Sequence, residues 1–504
     1  MHAKWYLFGE NMKCRHALCV ILFLMYFSSF AKDYNILDYG AVPDGKTVNT
    51  LFIQSAIDRA HEEGGGRVIV PSGRFISGSI VLKSGVELHL KSKAVLLGSV
   101  DHSHYITLNR WKALVMADGA NDIAITGKGT IDGQGAQLAL NIDSLFYAGE
   151  IDSSDYIFRE KRPYVTVRPQ IIEFMNCRNI RVTDVTIKNA ASWVQTYEIC
   201  RNLIIDNIRV ESDTYWNNDG IDILDCRNVR ITNCYINSSD DGICLKSEEW
   251  DLTEFCDSIY IANCTIRSSG CAIKLGTSSV SQIKNVVIKN IKVFDTYRSA
   301  IAIESVQGGI IENVMIENIK AVNTGNAIFI RIGKIRKAKR PGILRNVTIK
   351  NIKVKVPFKH PDYAYEIRGP ELPYFHNVFP SSITGLQGYN IENLTLENIK
   401  IIYPGRGSKA YANMPVYRLD DVPELENHYP EFSMFGELPS WGFYVRHVDG
   451  LTMKNIKLKI KKPDYRPAMV FDDVQNLTIE SMRIYGDNKA DSIVLKDVEN
   501  SNIH

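Results

Sequence analysis

The chain is expected to fold as an all-β solenoid, a parallel β-helix whose N-terminal end is closed by one helix. Three observations predict it. A cysteine series recurs as Cys177-Arg178-Asn179-Ile180, Cys200-Arg201-Asn202-Leu203, Cys226-Arg227-Asn228-Val229 and Cys256-Asp257-Ser258-Ile259, in steps of 23, 26 and 30 residues. An asparagine series recurs as Asn207-Ile208-Arg209, Asn290-Ile291-Lys292, Asn318-Ile319-Lys320, Asn351-Ile352-Lys353, Asn398-Ile399-Lys400 and Asn455-Ile456-Lys457. Internal periods of this size mark solenoids and propellers. Between the markers run short β-branched bursts with period-two alternation, such as Arg181-Val182-Thr183-Asp184-Val185-Thr186-Ile187, which read as strands.

Taken in order, residues 1–31 read as an export signal: Lys13 and Arg15 precede an apolar run over residues 17–30, and Ser29-Phe30-Ala31 fits a small-x-small cleavage site. Residues 50–63 are the one clear amphipathic helix, with Phe52, Ile53, Ala56, Ile57 and Ala60 on one face behind a cap at Asn49. Everything else is strand-like. Strands without intervening helices exclude crossover α/β sheets, yet each repeat resembles the next rather than its mirror, and stacked coils satisfy both conditions. No linker composition interrupts residues 32–504, so they are read as one domain that grows by adding coils. The formal net charge of +2 gives no case for nucleic acid or a membrane surface, and the basic stretch at residues 334–339 reads as a solvated loop.

Removing the signal takes Cys14 and Cys19, leaving eight of the ten cysteines. Cys177, Cys200 and Cys226 hold equivalent places in successive coils, which suits a ladder of buried thiols, and the spacing offers no zinc site.

The coils align on a glycine or alanine after a bend: Gly220-Ile221-Asp222-Ile223-Leu224, Gly242-Ile243-Cys244-Leu245-Lys246, Ala272-Ile273-Lys274-Leu275-Gly276, Ala300-Ile301-Ala302-Ile303-Glu304 and Ala327-Ile328-Phe329-Ile330-Arg331. Strand alternation then turns the Ile and Leu residues inward. It turns Asp222, Cys244, Lys274, Ala302 and Phe329, then Leu224, Lys246, Gly276, Glu304 and Arg331, outward. The bend positions hold Asp219, Asp241, Cys271, Ser299 and Asn326, with Asp240 beside Asp241.

Asp219, Asp240 and Asp241 are therefore expected to converge across adjacent strands, roughly 4.8 Å apart. Carboxylates this close cannot all ionise freely, so one keeps its proton and an acid and a base arise from identical side chains. Read singly, Asn-Asp-Gly and Asp-Asp-Gly are ordinary turn chemistry; their shared register points to acid and base work on a glycosidic bond.

Asp38-Tyr39-Gly40-Ala41 with Asp44-Gly45, the run from Gly127 through Thr130-Ile131-Asp132-Gly133 to Gly135, Arg168-Pro169 and Trp193 resemble glycoside hydrolase family 28, the polygalacturonase-like pectin hydrolases. Asn217-Asn218-Asp219 is similar to that family's Asn-Thr-Asp, and Ser239-Asp240-Asp241 to its Gly-Asp-Asp. The resemblance implies a right-handed β-helix and an inverting hydrolase without metal or organic cofactor. It makes Asp240 the general acid and Asp219 and Asp241 the activators of water; inversion needs a gap of roughly 6.5 to 9.5 Å for that water. The pattern departs from the family at Cys271, where its histidine would stand, and at Ala302 and Glu304, where its arginine and lysine would hold a galacturonate carboxylate. Lys246, Lys274 and Arg331 are the groove cations left to receive a uronate, with Asp222 beside them. Alternatively, Lys274 and Glu304 form a surface ion pair worth little.

Two aromatic-rich stretches, residues 360–379 and 411–441, exceed what a bare β-helix needs. They are expected either to wall one end of the groove, favouring action at chain ends, or to cover the solenoid's flank. The reading is an exported, monomeric hydrolase of pectic polysaccharide. A β-helix lyase or epimerase, with Lys246 or Lys274 near the aspartates, and a non-catalytic carbohydrate-binding solenoid remain the alternatives.

Overall fold

The computed structural model describes residues 32–250, 252–361, 377–409, 414–486 and 492–504. The export signal expected at residues 1–31 lies outside the described residues, as do residues 362–376 of the aromatic stretch at 360–379.

The chain winds as a parallel β-helix, every ladder between successive coils being parallel. One column of the interior shows why. Ile180, Leu203, Val229, Ile259, Val286, Val314, Val347, Leu394, Leu451 and Leu477 stand in direct register from coil to coil, and all belong to one continuous core. Each coil covers the apolar face and the unpaired backbone edge of its neighbour, which neither could bury alone. Truncating such a residue to alanine costs about 2 to 5 kcal/mol.

The asparagine series has a physical cause. Asn207, Asn290, Asn318, Asn351, Asn398 and Asn455, and with them Asn179, Asn202 and Asn228 of the cysteine series, all turn the chain with positive φ, a conformation asparagine tolerates better than other residues with a side chain. Their amides then stack: Asn228 donates to Asn202 at 2.8 Å and Asn202 to Asn179 at 2.9 Å, while Asn318 donates to Asn290 and Asn290 to Asn263 at 3.0 Å. The cysteine series stacks on the inside, where Cys177, Cys200, Cys226 and Cys256 are fully buried as free thiols.

Helix α1 (Thr50–Glu62) buries Ile53, Ala56, Ile57 and Ala60 against the first coils. Asn49 does not cap it through its side chain; its amide instead ties down the preceding loop, accepting from Val42 N at 2.6 Å and donating to Thr47 O at 2.7 Å. Helix α2 (Gly135–Tyr147), with Leu138, Ala139 and Ile142 buried, escaped the sequence reading.

The site is built on strands β1 (Ile221–Leu224), β2 (Ile243–Ser247), β3 (Ile273–Ser279), β4 (Gln282–Ser305) and β5 (Ile310–Ile332). Their register reproduces the sequence alignment: Asp222 pairs with Cys244, Cys244 with Lys274, Lys274 with Ala302, and Ala302 with Phe329. The bends stack as well, because Gly220 N–H donates to Asp241 O, Gly242 N–H to Cys271 O and Ala272 N–H to Ser299 O, at 2.8, 2.8 and 3.0 Å.

Candidate active site

The bend ladder delivers Asp219 and Asp241 to one edge of β1 and β2, and the outward strand positions deliver Lys246 and Lys274 beside them. Asp219, Asp240, Asp241, Lys246 and Lys274 line one cavity of about 310 Å³, together with Arg110, Trp111, Trp193, Asn217, Glu248, Thr277, Ser278, Arg336 and Tyr429.

Asp241 is gripped at both oxygens. Oδ1 accepts from Cys271 N–H at 2.8 Å and Oδ2 from Lys274 Nζ at 3.0 Å. A Cβ at Gly270 would lie 2.7 Å from that Oδ1, so glycine is what allows the turn to close around the carboxylate. Asp240 is the least buried of the three aspartates; its Oδ1 accepts from Asp241 N–H at 3.1 Å, and Asn217 Nδ2 stands 3.5 Å from its Oδ2. Asn217 is itself oriented by Arg162 and Arg168, which donate to its Oδ1 at 2.7 and 2.9 Å. Asp219 and Asp222 share Lys246, whose Nζ lies 3.1 Å from one and 2.5 Å from the other, and 3.6 Å from the centre of the Trp193 ring.

Burial and charge drive these like residues apart. Burial would raise Asp241, but Lys274, Arg298 and the Cys271 amide outweigh it and hold its carboxyl below the usual range. Asp219 goes the other way, pushed well up by burial, with Lys246 opposing and the neighbouring aspartates adding to the rise. Burial also lifts Asp222, to about 6. Burial works against charge on Lys246 and Lys274, yet the facing carboxylates prevail and keep both ammonium groups protonated well past the ordinary lysine range.

The groove positions expected to face solvent are covered. Lys274 and Glu304 are each 2 % exposed in their side chains and lie 3.8 Å apart, so they form a buried pair and not the weak surface one. Their roof is the second aromatic stretch: Tyr429 Oη accepts from Lys274 Nζ at 3.3 Å and from Thr277 Oγ1 at 3.1 Å, and Glu431 pairs with Arg298 at 3.1 Å. Cys271, Ala302 and Phe329 form an apolar cluster with Val378, Phe379 and Phe432. The places of the family histidine and arginine are thus filled by the chain's own side chains.

Arg331 is not brought to the aspartates. It binds Gly385 O at 3.1 Å, Thr384 Oγ1 at 3.3 Å and the Glu424 carbonyl, anchoring the roof. Arg110, Trp111, Thr277, Arg298 and Tyr429 are site neighbours the sequence did not single out. Among the described residues no group of three or more His, Cys, Asp or Glu side chains is arranged to hold a metal ion.

Residues 63–359, more than half of the chain, match the family model described as Glycosyl hydrolases family 28. The chain belongs to glycosyl hydrolases family 28. Among its family 28 relatives is a Vitis vinifera protein named "Probable polygalacturonase", 28% identical over 391 residues, covering 74% of this chain and 70% of the relative. An exo-poly-alpha-D-galacturonosidase of Dickeya chrysanthemi is 25% identical over 433 residues, 73% of this chain and 71% of the other. The solved structure of a hyperthermoactive exopolygalacturonase from Thermotoga maritima superposes with a TM-score of 0.57 at 25% identity, over 74% of this chain and 87% of that one. This family 28 chain is accordingly a polygalacturonase-like glycoside hydrolase.

Proposed function

We propose that the protein cleaves pectic polysaccharide by inverting hydrolysis, with Asp240 as general acid and Asp241, aided by Asp219, activating water. One observation carries this reading: three aspartates from adjacent coils share a single cavity in which Asp241 is held ionised while Asp240 is the least buried. A base must be ionised and aimed, and an acid must reach the leaving oxygen. Two like residues with divergent environments divide those tasks.

Elimination at a uronate would need an unprotonated base to take the proton beside the carboxylate. Lys246 and Lys274 are held protonated by the carboxylates facing them, which supports hydrolysis over a lyase or epimerase. The roof over β3 and β4 supports action at chain ends, since Tyr429 and Phe432 occupy the direct continuation of the groove. Export through residues 1–31, and action as a monomer outside the cytoplasm, complete the proposal.

Incubation with polygalacturonan, rhamnogalacturonan and short pectic oligosaccharides tests it. New reducing ends of inverted configuration, without ultraviolet-absorbing unsaturated product, are expected. An unsaturated product means a lyase, and retention without any product means a binding protein.

A further inference from the structure

We propose that a second cavity beside the catalytic one receives an acidic sugar of the substrate, held by Arg336 and Lys337 against the ring of Trp250. The inference rests on the pectic hydrolase reading and names the residues that take over uronate recognition within it.

The second cavity measures about 230 Å³ and opens into the first, for Arg110, Glu248, Ser278 and Arg336 line both. The aspartates of the first and Trp250 of the second lie at opposite ends of the same strands. Asp219 and Asp241 precede β1 and β2, whereas Trp250, Val280 and Gln307 follow β2, β3 and β4. At roughly 3.3 Å per residue, a five-residue strand separates them by about 16 Å. A sugar chain passing from one to the other crosses the sheet instead of running along it.

The straight route is closed. Beyond Lys274 the next two coils present Ala302 and Phe329, which are packed under Phe379 and Phe432. The open direction from Asp241 passes Thr277 and Ser278, toward Arg336.

The second cavity also carries the charge that the first has spent. Lys274 and Lys246 are committed to carboxylates and Arg110 to Glu248. Arg336 and Lys337 are exposed, and among the described residues neither has a carboxylate within ion-pair distance. These are the residues read from sequence as a solvated basic loop; the fold carries that loop to the mouth of the site. Trp250, 54% exposed, adds an apolar face at solvent level that suits the C–H face of a pyranose ring. An arginine fork and a neighbouring ammonium group fit a sugar carboxylate, and they do so away from Ala302 and Glu304, where the family cations are missing.

Calorimetric binding of trigalacturonate to Asp240→Asn protein, with and without Arg336→Ser and Lys337→Ser, is the test. The double change should raise the dissociation constant by roughly tenfold or more at low salt, and the gap should narrow at about 0.5 M salt. Because both side chains are exposed, the thermal midpoint should not move. Trp250→Ala should weaken binding with an unchanged salt slope. Equal affinities, to within about twofold, overturn the proposal while leaving the hydrolase reading intact. If Asp240→Asn protein binds no trigalacturonate although the unmutated enzyme cleaves a neutral oligosaccharide, the pectic reading fails and this inference falls with it.

Discussion

Lys274 Nζ lies 3.0 Å from Asp241 Oδ2 in a pair whose side chains are 2% and 6% exposed. The lysine, with Arg298 and the Cys271 amide behind it, keeps a carboxylate at that depth ionised against its burial. Lys274→Met should let burial raise the Asp241 carboxyl. The fraction ionised at a given acidic pH then falls, so the acidic limb of the pH–rate profile should move to higher pH. The stability loss should be about 3 to 5 kcal/mol, the usual penalty for stranding one member of a buried pair. A lower rate with an unmoved acidic limb would separate Asp241 from the base.

Asp240→Asn removes a proton donor and almost no volume. Reducing-end release should drop by about 10²-fold to 10⁴-fold, while the urea midpoint of the folded protein stays near that of the unmutated enzyme. Turnover within about tenfold of normal would exclude Asp240 as the acid.

Glu304 gives a stability signature. Burial lifts its carboxyl from the ordinary 4.5 to about 7, against Lys274 and Thr277. The folded state therefore holds this proton more tightly than the unfolded chain. Its contribution is fully present below pH 4.5 and is lost as pH rises through 7. Glu304→Gln should flatten the stability profile across that window by on the order of 2 to 3 kcal/mol. Urea midpoints measured at both ends of the window decide it, and parallel profiles would mean that Glu304 does not titrate there.

Restoring the family cation at Ala302 should fail. Ala302 is fully exposed to neighbours and not at all to water, packed beneath Phe379 and Phe432. Ala302→Arg forces extra volume and a charge into that cluster, with overpacking alone costing about 1 to 3 kcal/mol. A lower thermal midpoint with no gain in uronate affinity is expected; a gain would show that the roof lifts to admit substrate.

The coils and the aspartate register were legible because the interior of a β-helix repeats. Ile221, Ile243, Ile273, Ile301 and Ile328 align in sequence for the same reason that they pair in space. The roof was legible only as a composition. Nothing in the spacing of Tyr429 links it to Thr277, from which it is separated by 152 residues, and so the lysines and Glu304 read as exposed when they are buried. Helix α2 was missed because its buried apolar positions, Leu138, Ala139 and Ile142, span little more than one turn.

The spacing of Asp219 and Asp241 is set by main-chain bonds, Gly220 N–H to Asp241 O among them, and owes nothing to the side chains of the roof. The placement of these two bends is therefore separable from the loops above them. Residues 414–441 and 333–342 are accordingly where loop grafting would act, while the spacing of the Asp219 and Asp241 bends is held constant by the sheet.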